Sequence, residues 1–105
     1  MIDPAALTLK QAASAIRRRK LSSVELTKAL LARIDAWQPA LNAFVRVEAD
    51  EALKAAKAAD RALAAGNAKG PLHGVPLAHK DMYYSKGKPA GCGSKVREGF
   101  IAPTT

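Results

Sequence analysis

The chain of 105 residues is poor in cysteine and in aromatic side chains, and it contains no long apolar run. Its single cysteine, Cys92, excludes an internal disulfide and fits a reducing compartment. No apolar stretch approaches the ~20 residues that a membrane-spanning helix needs. The opening residues also lack the basic and apolar regions of a signal peptide. We therefore expect a cytoplasmic protein that has no membrane partner.

Acidic residues are also in the minority, because 17 lysines and arginines face 9 aspartates and glutamates, which gives a net charge of +8. Such a balance attracts phosphates and anionic surfaces without specificity. The bases are nevertheless spread along the chain, apart from the run Arg17-Arg18-Arg19-Lys20. Cations suit the negative end of a helix dipole. We interpret the run as a solvated helix end and expect no specific nucleic-acid partner.

The first part of the chain predicts two helices. One starts near Thr8 and ends in the basic run, because apolar residues recur there at helical spacing. The second starts at Ser22, which caps it while Glu25 completes a capping box. Its apolar stripe continues to Trp37, and Pro39 is expected to lie just past its end.

Two short strands and a third helix are predicted next. Residues 42–47 are rich in side chains that favour β structure, and residues 75–80 alternate after a Gly-Pro turn. The stretch from Glu48 to Ala65 consists of helix formers. Three helices and two strands make an incomplete α/β layer. We therefore expect residues 1–105 to be the N-terminal portion of a domain in a larger protein.

Lys80 stands at the end of the second predicted strand, in the segment Gly74-Val75-Pro76-Leu77-Ala78-His79-Lys80-Asp81. A strongly hydrated ammonium gains nothing from the end of a buried strand unless chemistry requires it. Desolvation favours the neutral amine, which is a base. The competing interpretation is a surface lysine paired with Asp81, and the spacing alone favours that interpretation.

The same segment resembles the lysine motif of the amidase signature family, whose hydrolases use a Ser–cis-Ser–Lys triad. The family pattern is Gly-hydrophobic-Pro, two or three mostly apolar residues, and then Lys-Asp. The resemblance extends over nearly the whole chain, through the segments 21–26, 41–45 and 93–94. It implies that Lys80 is the catalytic base and that the fold is α/β, with helices over a mixed sheet. It also implies a small-molecule carboxylic amide as the substrate of the full-length protein, and no cofactor.

The resemblance further implies that two members of the triad are missing from this chain. In the family the lysine acts through a bridging serine, and both serines lie in a Gly/Ser-rich signature downstream of the lysine motif. Nothing like that signature occurs before Thr105. We therefore expect the 105-residue chain to lack amidase activity when it is taken alone.

Two other functions stay open. One lies within the family: the amidase-like subunit of a tRNA-dependent amidotransferase, which delivers ammonia to a partner. The other is a small basic module that binds nucleic acid or protein. The sequence leaves the substrate and the oligomeric state open.

Two further patterns in the chain carry no predicted site. His73, His79 and Cys92 do not have the spacing of a zinc site, so we expect no metal. The segment 91–95 lacks the residue order of a phosphate-binding loop.

Overall fold

The computed structural model describes residues 3–105, which form three α-helices joined by irregular segments. Met1 and Ile2 lie outside the described residues. They belong to the opening stretch in which the sequence predicts no signal peptide. In chain order the elements are a 3₁₀ turn at Pro4–Ala6, helix α1 at Leu9–Arg17, helix α2 at Ser23–Leu41, helix α3 at Ala49–Ala64 and a 3₁₀ turn at Lys95–Arg97. Within residues 3–105, no helix is long and apolar enough to cross a membrane.

The predicted starts of the first two helices are confirmed. Thr8 Oγ1 accepts the N–H of Gln11 at 3.2 Å, and Gln11 Oε1 accepts the N–H of Thr8 at 2.9 Å. Ser22 and Glu25 form the same reciprocal pair before α2, at 3.0 and 3.1 Å. Such capping boxes satisfy backbone donors that have no partner inside the helix.

The ends of α1 and α3 also agree with the sequence prediction. α1 ends at Arg17, and the side chains of the basic run are exposed to solvent. α3 ends shortly before Gly66, whose φ of +79° is left-handed. Glycine adopts this conformation at no steric cost, so it is a natural helix terminator.

The predicted end of α2 was wrong, because Pro39 lies inside the last turn of the helix. A proline there removes a single backbone hydrogen bond and has little helix left to disrupt. The helix ends instead at Leu41 and is capped by Asn42, whose φ of 49° is left-handed. The N–H of Asn42 donates to the carbonyl of Gln38 at 2.7 Å and closes the final turn.

The predicted α/β class is contradicted by the described residues, because neither predicted strand forms. Residues 42–47 and 75–80 are both irregular. The β pairing found in residues 3–105 is a single isolated antiparallel bridge between Pro89 and Ile101. Helices over a mixed sheet are therefore not the architecture of this part of the chain.

A strand needs a neighbour that takes up its backbone N–H and C=O groups, and neither segment has one among the described residues. In the first segment, the side-chain amide of Gln38 accepts the N–H of Phe44 at 3.1 Å and donates to its carbonyl at 2.5 Å. In the second, Pro76 has no N–H to offer. The side chains in these segments favour β structure, but no neighbouring strand among the described residues pairs with them.

The hydrophobic core is small and lies where the three helices meet. Ala12 and Ile16 of α1 pack with Leu26 of α2, and Leu63 of α3 packs against them. Ile16 is only 1% exposed. Val75 also packs on this cluster. The core therefore holds the first part of the segment that carries Lys80.

Much apolar surface stays outside this core. Trp37 is 56% exposed, so the far end of the predicted stripe on α2 is uncovered, and Leu77 is 71% exposed. The radius of gyration is 15.3 Å, whereas a compact domain of 100 residues has one of about 13 Å. The described residues are thus more open than a compact domain of their size.

The last part of the chain folds back on itself. Gly87 N–H donates to the Ala102 carbonyl, and Ala102 N–H donates to the Lys88 carbonyl, both at 2.9 Å. The Arg97 guanidinium lies 4.2 Å from the ring centroid of Phe100, a cation–π contact. These contacts make residues 84–102 a local unit, which we call the return segment.

Lys88 attaches the return segment to the start of α3. Its ammonium donates to the carboxylates of Glu48 and Glu51. The hydrogen bond from Lys88 holds the pKa of Glu48 below its ordinary value of 4.5. The bonds to Glu48 and Glu51 raise the pKa of Lys88 above its ordinary value of 10.5.

We expect Lys88→Ala to lower the melting temperature most between pH 4.5 and pH 10.5. The lowered pKa of Glu48 gives stability that is present above pH 4.5 and lost as the pH falls through the folded-state value. The raised pKa of Lys88 gives stability that is present below pH 10.5 and lost as the pH rises through the folded-state value. Thermal melts of both proteins across this range, with and without about 0.5 M salt to screen the pairs, check the expectation. A difference that grows below pH 4.5 would contradict it.

Candidate functional site

The segment that carries Lys80 begins against the start of α2. Ser23, which is 2% exposed, donates its Oγ hydrogen to the Gly74 carbonyl at 2.5 Å. A Cβ on Gly74 would lie 3.3 Å from Ile16 Cγ2 and 3.3 Å from Ser23 Cβ, and the φ of Gly74 is +83°. Both the space and the backbone conformation therefore require glycine. The structure gives a physical reason for the glycine that opens the predicted motif.

α3 supplies a carboxylate to the same place. Asp60 Oδ1 accepts the N–H of Ser23 at 2.7 Å, and Asp60 Oδ2 accepts the N–H of Val24 at 3.1 Å. Together with the Ser22 hydroxyl, which accepts the N–H of Glu25, this satisfies the first three backbone donors of α2. The negative charge also suits the positive end of the helix dipole. α2, α3 and the lysine segment thus meet at Ser23.

We expect Asp60→Ala to lower the free energy of unfolding by about 2 kcal/mol, because two helix-start donors lose a charged acceptor in a half-buried place. Asp60→Asn keeps one acceptor oxygen and is expected to lose about half as much. Denaturant unfolding of the chain measures both. Asp35→Ala removes an exposed carboxylate from α2 and is the control, with an expected change below about 0.5 kcal/mol. Equal losses at positions 60 and 35 would contradict the expectation.

His73 fastens the turn before Gly74 to α3. Its Nδ1 accepts the N–H of Lys69 at 3.1 Å, and its Nε2 lies 2.8 Å from the Ala59 carbonyl. In a neutral ring, the nitrogen that accepts carries no proton, so we assign the proton to Nε2, which donates to Ala59. Both ring nitrogens are thus engaged with backbone groups. In the described part of the chain, no three His, Cys, Asp or Glu side chains come together as a metal site.

Lys80 lies at the far end of the segment and is exposed. Its carbonyl accepts the N–H of Tyr83 at 3.1 Å, which closes a turn after it. The structure therefore does not place Lys80 at the end of a buried strand. The burial that the sequence predicted for a neutral amine is not supplied by residues 3–105.

An open cleft of about 1040 Å³ borders Lys80. It is lined by mostly apolar residues of α2, by the lysine segment and by residues 43–48. Charged groups stand at its edge, among them Lys88 with Glu48 and Glu51. The cleft thus combines apolar side chains with an amine and an ion-pair cluster, and it is open to solvent.

Within the described range, Lys80 does not form the ion pair with Asp81 that the alternative interpretation, a surface lysine, predicts. Among the ion pairs of residues 3–105, none joins Lys80 to Asp81. Asp81 is half-buried, and its Oδ2 faces the return segment, 3.8 Å from the position of a Cβ on Gly91. The His79 ring meets the Tyr83 ring edge-on, with 6.5 Å between the centroids. The catalytic role of Lys80 stays a prediction.

Lys80 and Gly74 could be found from the sequence, whereas Ser23 and Asp60 were missed. The sequence identifies Ser22 as the cap of α2 and indicates no role for the serine that follows it. A signal for Asp60 was present, since it lies four residues after the buried Ala56 and three before the core residue Leu63. A single carboxylate on the apolar face of a helix indicates a buried partner.

Comparison with known proteins bears on the family of the chain. The model of the Amidase family matches residues 25–105. A glutamyl-tRNA(Gln) amidotransferase subunit of Acidothermus cellulolyticus is 50% identical over 103 residues, which cover 98% of this chain and 20% of the relative. Proteins of the same name from Azotobacter vinelandii and Geobacter metallireducens are 50% and 46% identical over 97 residues, or 92% of this chain and 20% of each relative.

The chain spans about a fifth of the length of these curated relatives. The family match, in contrast, covers most of the chain and includes the whole lysine segment. It also includes α2 from Glu25 onward. The chain belongs to the amidase family.

Proposed function

We propose that this chain is the lysine-bearing part of an enzyme that releases ammonia from a carboxamide, with Lys80 as the base. The observation that carries the proposal is the arrangement of the lysine segment. Its glycine end is held by Ser23 and the core, and its lysine end is exposed beside a cleft. A segment fixed at one end and open at the other presents an amine to a ligand.

In the proposed reaction, Lys80 takes a proton from a relaying hydroxyl, which takes the proton of a nucleophilic serine. That serine forms a bond to the carbonyl carbon of the amide, and the carbon–nitrogen bond then breaks. The proton returns from the lysine to the departing nitrogen, which leaves as ammonia. Water then releases the acid from the serine. This chain contributes the base, which is one of the groups that acyl transfer needs.

The proposed role requires a covered lysine. Removal from water favours the neutral form of an amine, and Lys80 is exposed in the described residues. Exposed apolar side chains beside it, such as Leu77 and Tyr83, provide a surface for the covering protein. We propose that a chain of the relatives' length supplies that cover, and that residues 1–105 alone do not hydrolyse amides.

Within this proposal, we favour the amidotransferase over a free-standing amidase. The relatives that match nearly the whole chain are named as subunits of a glutamyl-tRNA(Gln) amidotransferase. We therefore propose that the released ammonia is used by a partner protein to amidate a glutamyl group carried by tRNA. We expect the partner protein to increase the rate of ammonia release.

A chimera tests the proposal. Residues 1–105 replace the matching segment of the Acidothermus cellulolyticus relative. Glutamine serves as the carboxamide probe, and ammonia release from it is measured with and without the relative's partner proteins. We expect the chimera to release ammonia, faster with the partners, and the 105-residue chain to release none above buffer. A folded chimera without activity, or turnover by the 105-residue chain, would overturn the proposal. Equal turnover of simple amides with and without partners would indicate a free-standing amidase.

A further inference from the structure

We propose that Ser23 is a positioning residue for Lys80, an inference that rests on the proposed function. Ser23 is the residue at which α2, α3 and the lysine segment are joined. Its backbone N–H donates to Asp60 at 2.7 Å, and its hydroxyl donates to the Gly74 carbonyl at 2.5 Å. It is 2% exposed, so water does not replace either bond.

The contacts around Gly74 leave the backbone little freedom at this point. Gly74 lies so close to Ile16 and to Ser23 that a Cβ on it would be 3.3 Å from each. Packed interiors resist displacement because their voids are small. His73, one residue earlier, is bonded to the Ala59 carbonyl of α3 at 2.8 Å. The direction in which the segment leaves Gly74 is therefore fixed.

That direction sets the starting point from which residues 75–80 extend to Lys80. Lys80 is the sixth residue after Gly74, which gives a reach of up to about 20 Å. If the segment tilts as one body by about 5° (about 0.09 radian) at Gly74, its lysine end, about 20 Å away, moves by nearly 2 Å. A misplacement of about 1 Å can cost about 10²-fold in rate. The hydrogen bond from Ser23 to Gly74 can therefore affect the rate of the chemical step although it is far from the reacting atoms.

Ser23→Ala in the chimera tests the inference, with Leu26→Val as its control. Ser23→Ala removes the hydroxyl that binds Gly74, whereas Leu26→Val shortens another buried side chain of α2 and leaves that bond in place. We expect Ser23→Ala to lower kcat for ammonia release about tenfold with KM within about twofold. Leu26→Val is expected to lower the melting temperature similarly and to keep kcat within about twofold. If the alanine variant does not fold, Ser23→Cys keeps the volume with a weak donor and is expected to change kcat in the same direction.

A second readout does not depend on activity. The Val75 N–H donates to the Leu72 carbonyl at 3.1 Å, just after the anchored glycine. We expect Ser23→Ala to speed its hydrogen exchange about tenfold relative to Leu26→Val. Equal kcat or equal exchange in the two variants would overturn the positioning role while Lys80→Ala still abolishes activity. A Lys80→Ala chimera as active as the unsubstituted one would instead overturn the proposed function, and the positioning role with it.

Discussion

Lys80→Ala in the chimera is expected to lower kcat for ammonia release about 10³-fold, the loss typical of a missing general base. KM is expected to stay within about threefold, because the change removes a group that acts in the chemical step. The side chain is exposed and lies outside the core, so its truncation leaves the helices intact. Ammonia release at saturating glutamine, with circular dichroism to verify folding, measures the effect.

Lys80→Arg separates a base from a positive charge. Arginine keeps the charge but does not give up its proton in proteins. We therefore expect the arginine variant to be as inactive as the alanine variant. Activity above about a tenth of the unsubstituted chimera would contradict the base role and would assign Lys80 an electrostatic one.

Gly74→Ala is expected to lower the free energy of unfolding of the 105-residue chain by about 3 kcal/mol. About 1–2 kcal/mol comes from placing a side chain at a φ of +83°. The rest comes from pressing the new Cβ between Ile16 and Ser23, each 3.3 Å away. Denaturant unfolding followed by circular dichroism measures the loss.

Gly66→Ala is the matched control for that substitution. Gly66 has a φ of +79°, close to that of Gly74, but nothing lies within 4 Å of a Cβ built on it. We therefore expect Gly66→Ala to lower the free energy of unfolding only by the conformational part, about 1 kcal/mol. Equal losses at positions 66 and 74 would show that the close approach of Gly74 to α1 and α2 does not contribute.

The helices could be predicted from sequence because their signals are local. Thr8 and Ser22 each lie three residues before the partner that completes the capping box, and Gly66 follows α3. Such signals need no information about distant parts of the chain. The end of α2 was missed because proline near the end of a helix costs little, so Pro39 was a weaker stop than the left-handed Asn42.

The absence of the two strands could not be predicted, because a strand depends on its neighbours. The side chains of residues 42–47 fit a pleated surface, but β propensity mostly measures packing against partner strands. In the described residues no partner is present, and Gln38 takes the hydrogen bonds of Phe44 instead. The same applies to residues 75–80, which are held at Val75 by the core and are otherwise exposed or half-buried.

The site was predictable only in part, for a related reason. Lys80 and Gly74 stand in one short segment, so a motif reveals both. Ser23 reaches the start of that segment from 51 residues before Gly74, and Asp60 binds Ser23 from 14 residues before Gly74, through contacts that only the folded structure brings together. A buried lysine was also expected from the sequence, whereas Lys80 is exposed beside the cleft.

The central claim is that Lys80 of this chain is the base of an amide-hydrolysing enzyme. The most direct test is the ratio of kcat for ammonia release between the Lys86→Ala and Lys80→Ala chimeras. Lys86 is also exposed and lies in the same region, and Lys86→Ala changes the net charge by the same amount as Lys80→Ala. We predict a ratio of at least about 10² in favour of the Lys86→Ala chimera. A ratio near one, in two folded proteins, would contradict the claim.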